Sequence, residues 1–123
     1  MRLWRRMPDY FKSIQNLAAF SADKSTKTDL FASGQMLVGL NCFEPGQSQK
    51  THVHAGSDKF YLVVSGKARM VVGSDTRDVG PGVVVWAPAD VPHGVLHVTE
   101  RTVMLVAIAP PPHSAHASAP PAT

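Results

Sequence analysis

From Gln35 onward the chain alternates short apolar runs with turn-forming residues. Residues 36–43 (MLVGLNCF) read as a strand, closed by Glu44-Pro45-Gly46. Residues 60–65 and 68–72 are rich in apolar, mostly β-branched side chains, with Ser65-Gly66-Lys67 as the expected turn between them. Gly73-Ser74-Asp75 and Gly80-Pro81-Gly82 mark two further turns. Residues 83–86, 94–99 and 102–109 complete the set, with Glu100-Arg101 expected as a tight hairpin connection. Short strands punctuated every 8–12 residues or so predict an all-β sandwich or barrel and argue against βαβ units. The apolar run 103–108 is expected to be buried on both faces or to cover a subunit interface.

The two ends differ from this middle. Residues 1–30 are polar and lack sustained periodicity. Tyr10, Phe11, Ile14, Leu17 and Phe20 fit either one helical stripe or a segment laid across a barrel surface. Residues 110–123 contain only Pro, Ala, Ser, His and a final Thr. That stretch lacks the apolar groups that would offset its ordering entropy, so a disordered tail is expected. The organisation read from the sequence is therefore an N-terminal segment (1–30) packing on or preceding the barrel, a barrel (31–109) and a tail (110–123).

Composition narrows the class without naming a function. A chain of 123 residues, 44% hydrophobic and 17% charged, suits one globular domain with one core. No apolar run approaches the roughly 20 residues of a membrane-spanning helix, so no membrane partner is expected. The single cysteine, Cys42, has no partner for an internal disulfide. Arg2, Arg5 and Arg6 are not followed by an apolar stretch, so no signal peptide is expected, Met7 is an alternative start to Met1, and the cytoplasm is the expected location. The net charge of +3 comes partly from those arginines. Elsewhere the cations are interleaved with acids and form no basic stripe, so nucleic acid is not an expected partner.

Candidate chemistry lies in two spaced patterns. The first is Gly46, five residues, His52-Val53-His54, then Gly66; the second is Gly82, five residues, Pro88, then His93. On an extended segment, residues two apart share a face, so His52 and His54 can point together. A third imidazole from a distant strand can complete a facial set with positions left open. Gly46, Gly66 and Gly82 suit corners that need positive φ, and Pro88 suits an irregular position before the last histidine.

Together the patterns resemble the two signature motifs of the cupin superfamily, small double-stranded β-helix (jelly-roll) barrels, over about residues 35–108. The resemblance implies a divalent metal on His52, His54 and His93, with iron, manganese, nickel, copper and zinc not distinguished. It also implies a small-molecule ligand and a homodimer. Three positions depart from the pattern. Lys59 stands where the family has a glutamate ligand, Asp90 stands at a glycine position, and His97 replaces an asparagine. An ammonium repels a cation, and ligation through Lys59 would need its pKa lowered by several units.

Lys59 is open to three readings: a surface cation paired with Asp58, a cation that binds a substrate carboxylate, or a catalytic base or Schiff-base amine. Asp58 itself would become a ligand only through a local bulge. Tyr61 shares the parity of Lys59 and is a candidate for substrate binding and proton transfer. His97 shares the parity of His93 and is a second candidate for acid/base chemistry. Cys42, Met36, Met70 and Met104 read as core, and Trp86 reads as packing. The expected activity is dioxygenase-type chemistry on a small anionic molecule, with isomerase or lyase chemistry next. The alternative is a non-catalytic binding or sensor barrel with a degenerate metal site.

Overall fold

The computed structural model of the chain describes residues 9–112. The Arg2, Arg5 and Arg6 cluster, Met7 and the tail from residue 113 lie outside the described residues. One short helix, α1 (Ile14–Leu17), precedes seven strands. These are β1 (Thr26–Ala32), β2 (Leu37–Phe43), β3 (Gln49–His52), β4 (Asp58–Val72), β5 (Asp75–Val79), β6 (Val84–Ala87) and β7 (His93–Ala109). Every pairing is antiparallel, in the order β1-β2-β7-β4-β5, with β3 also on β7 and β6 also on β4.

Two expected turns are not turns. The segments read as 60–65 and 68–72 form one strand of 15 residues, and 94–99 and 102–109 form one of 17 residues. Gly66 has φ +93°, and the register slips on both sides of it, so β4 bends through an irregularity without reversing. Glu100 pairs with Lys67 at the same level, so β7 bends with it. The bend lets each long strand serve two sheets. The first half of β4 joins β6 and the second half of β7, which continues to β2 and β1. The second half of β4 joins β5 and the first half of β7, which carries β3. The result is the expected all-β double-sheet barrel.

Phe43, Tyr61, Val63, Met70, Val95 and Met104 fill the space between the sheets. Leu40, Cys42 and Val103 alternate to the outer face and form a second cluster with Leu30, packed under Ile14, Ala18 and Phe20. The N-terminal segment therefore lies across the β1-β2-β7 face, while Tyr10 and Phe11 stay exposed. Arg101 stacks over the Phe20 ring at 4.2 Å and grips Glu44 through two hydrogen bonds of 2.9 and 2.8 Å. Met70 and Met104 are core as expected, but Met36 is exposed in the turn before β2. Trp86 pairs with Phe60 on the outer surface and is exposed as well. Among the described residues, no helix is long and apolar enough to cross a membrane.

Candidate metal centre

His52 closes β3 and His93 opens β7, and the two are direct partners in the β3–β7 pairing. His54 follows two residues after His52, in a loop held by the Asp90 N–H donating to the His54 carbonyl at 3.1 Å. Asp90 adopts φ +69°, which its short polar side chain tolerates, and its carboxylate accepts the Gly56 N–H at 3.2 Å. The departure from glycine at position 90 therefore helps fix the loop that carries His54.

The three imidazoles converge. Ring centroids are 4.8 Å apart for His52–His54, 4.5 Å for His52–His93 and 5.5 Å for His54–His93. One ligand nitrogen from each lies within 4.8 Å of the others. His52 Nδ1 donates to the Lys50 carbonyl at 2.7 Å, and His93 Nδ1 donates to the Val91 carbonyl at 2.9 Å. Only a protonated Nδ1 can bond a carbonyl, so both Nε2 atoms carry lone pairs. Those two Nε2 atoms are buried with no hydrogen-bond partner. Burial lowers the His52 pKa to about 4, with smaller contributions from Lys59 and His93, and burial also lowers that of His93. Neutral, pre-oriented imidazoles with buried lone pairs are the donor set a divalent cation takes, so the residues fit a metal.

Lys59, Tyr61 and Val63 alternate into the barrel along β4, as the parity argument expects. Lys59 is buried, its Nζ has no hydrogen-bond partner, and it sits 4.6 Å from the centre of the Tyr61 ring. Burial, aided by the charge of Lys27, lowers its pKa to about 7. The surface reading of Lys59 is thus overturned. Asp58 points the other way, is exposed, and accepts the Ala89 N–H at 2.9 Å, so neither a Lys59–Asp58 surface pair nor a bulged Asp58 ligand is formed. Among the described residues, the metal-ligating group contains no carboxylate. Tyr61 is fully buried, donates its hydroxyl to Gln49 Oε1 at 2.7 Å, and stands 6.2 Å ring to ring from His93. Burial pushes the phenol pKa well up, so the proton stays on the oxygen.

His97 does not join the cluster. Val95 pairs with Met70 while His97 pairs with the adjacent Arg69, so Leu96 is an extra residue and the parity inverts. His97 faces outward into a surface cavity with Lys67, Arg69 and Asp78. Two other residues were not legible in the sequence. Gln49 escapes a parity argument because the register shifts between it and His52. Lys27 lies on β1, a strand whose sequence (TKTDLFA) carries no clean alternation.

Comparison with known proteins agrees with this architecture. The family model for the cupin domain matches residues 39–109. An uncharacterized protein of Streptomyces coelicolor is 41% identical over 76 residues, which cover 62% of this chain and 71% of that relative. The crystal structure of TT1209 from Thermus thermophilus is similar at a TM-score of 0.77 and 39% identity, over 81% of this chain and 96% of that one. An RmlC-like cupin protein from Desulfovibrio desulfuricans superposes at a TM-score of 0.73 and 25% identity, over 82% of this chain and 98% of that one.

Proposed function

The chain belongs to the cupin family, and on that footing we propose that it is a metal-dependent enzyme acting on a small anionic molecule. His52, His54 and His93 would hold one divalent ion, and imidazole donors suit iron, manganese, nickel, copper and zinc alike. When bound, the ion would supply Lewis acidity and, if redox-active, a path for electrons from the substrate to dioxygen in an oxygenation, which is the reaction class we favour. The chain's own residues do the rest. The Lys50 and Val91 carbonyls hold the His52 and His93 rings in their donor tautomer. Lys59, whose pKa burial lowers to about 7, would take up a proton and pair with the anionic group of the substrate when that group enters the barrel interior. Tyr61 keeps a proton on its hydroxyl and is itself oriented by Gln49.

The observation that carries this reading is the pair of buried Nε2 atoms on His52 and His93 with no hydrogen-bond partner, together with a buried Lys59 Nζ that has none either. Unpaired buried donors and acceptors are costly, and an ion with an anionic ligand satisfies all three. A protonated Tyr61, with its ring 6.2 Å from that of His93, favours isomerase or lyase chemistry as the second reading. With an ammonium where an acid would complete the site, a binding or sensor role follows if no turnover is found. The test is dioxygen uptake by the iron(II)-loaded protein across a panel of small carboxylates. Uptake above that of free iron(II), lost in His93→Ala, supports oxygenation; uptake equal to free iron(II) throughout removes it.

A further inference from the structure

His52 and His93 are placed by the β3–β7 pairing, whereas His54 lies in the loop 53–57 between β3 and β4. Strand pairing therefore does not set its distance from the other two imidazoles. Against that loop lies the connection 88–92, between β6 and β7. It begins as a reverse turn, in which the Val91 N–H donates to the Pro88 carbonyl at 3.2 Å. Asp90 holds the third position of this turn with φ +69°, the type II pattern that glycine usually fills and asparagine next.

Hydrogen bonds cross between loop and turn in both directions. Asp90 donates its N–H to the His54 carbonyl at 3.1 Å, and its carboxylate accepts the Gly56 N–H at 3.2 Å. One residue thus grips the loop at His54 and again two residues on. In return Asp58, at the start of β4, accepts the Ala89 N–H of the turn at 2.9 Å. The turn ends on Val91, whose carbonyl takes the His93 Nδ1–H at 2.9 Å. A single short connection therefore holds the backbone of one imidazole residue and the ring of another. Glycine at position 90 would keep the N–H bond to His54 but could not make the carboxylate bond to Gly56.

Resting on the metal reading above, we propose that Asp90 is a positioning residue that ties His54 to His93 and so fixes the third ligand of the site, with Asp58 as its counterpart on the loop side. Asp90 touches neither ion nor substrate and acts through the backbone of the His54 loop. Holding that loop before the ion arrives spares binding the entropy of ordering it. Groups that hold a ligand from behind carry a measurable share of metal affinity.

Zinc affinity of the full chain, measured by competition with a chelator, tests this. Asp90→Gly keeps the positive φ and deletes only the carboxylate, so the turn itself survives. Asp90→Asn restores an acceptor for the Gly56 N–H without the charge. Affinity should fall about tenfold in Asp90→Gly and return to within about twofold of the wild type in Asp90→Asn. Wild-type affinity in Asp90→Gly, whatever its effect on the stability of the metal-free protein, overturns the positioning role and leaves the metal site standing. An Asp90→Asn as weak as Asp90→Gly would assign the effect to charge and overturns it equally. A wild-type chain that takes up neither zinc nor iron, manganese, nickel or copper removes the metal reading, and the positioning role falls with it.

Discussion

His52 and His93 face each other across the β3–β7 pairing, and each donates Nδ1–H to the carbonyl two residues before it, Lys50 and Val91. The repeated bond comes from two unrelated segments, one ending a strand and one beginning a strand. It gives both rings the same tautomer and leaves both Nε2 atoms buried toward the same point. A pair of hydrogen-bonded structural histidines would instead use those atoms on protein partners.

Lys59→Met should stabilise the metal-free protein. The substitution keeps most of the side-chain volume and removes a buried amine that has no hydrogen-bond partner and only the face of the Tyr61 ring beside it. We expect a gain of roughly 2–4 kcal/mol at neutral pH in urea unfolding. A loss of stability would mean that the contact of Lys59 Nζ with the Tyr61 ring outweighs the cost of burying the amine.

The metal-free protein should become more stable as pH rises. Lys59 titrates at about 7 in the fold against an ordinary 10.5, and His52 at about 4 against 6.5. Both are bases that the fold discharges, so between each pair of values the unfolded chain binds more protons. Stability is thus fully present above the unfolded value and is lost as pH falls toward the folded one. Urea midpoints should climb from pH 4 to 6.5 through His52 and from pH 7 to 10.5 through Lys59, and Lys59→Met should flatten the upper rise. A wild-type midpoint that stays level across the Lys59 window would contradict the burial of that amine.

Gly66→Ala should destabilise the fold by at least about 2 kcal/mol, measured as a fall in the thermal midpoint. A Cβ there would lie 2.3 Å from the Arg101 carbonyl oxygen and 2.5 Å from Thr102 Cα, at φ +93°. Because backbone cannot swing aside as a side chain can, the bend shared by β4 and β7 would have to open. An unchanged midpoint would show that the bend tolerates a side chain.

The sequence made the site partly legible, and the reasons are local. His52, His54 and His93 could be grouped from spacing because turn residues and period-two alternation survive around them. Gly46, Gly66 and Gly82 do take positive φ. Ser65-Gly66-Lys67 and Glu100-Arg101 have turn composition but bend continuous strands, because each is held by the other across the β4–β7 ladder. No local pattern encodes that long-range pairing. His97 departs from its expected parity for a related reason: one unpaired residue, Leu96, reverses every side chain after it.

His97→Ala should accordingly leave metal content and stability unchanged, the latter within about 0.5 kcal/mol. Metal analysis and thermal unfolding on the same preparation check both. A loss of metal would return His97 to the site.

The most direct measurement is metal content of the purified full chain after loading separately with iron, manganese, nickel, copper and zinc. Close to one ion per chain is expected for at least one of these, with loss of that ion in His52→Ala, His54→Ala and His93→Ala alike. Ratios near zero for all five metals, in protein that unfolds cooperatively, would contradict it.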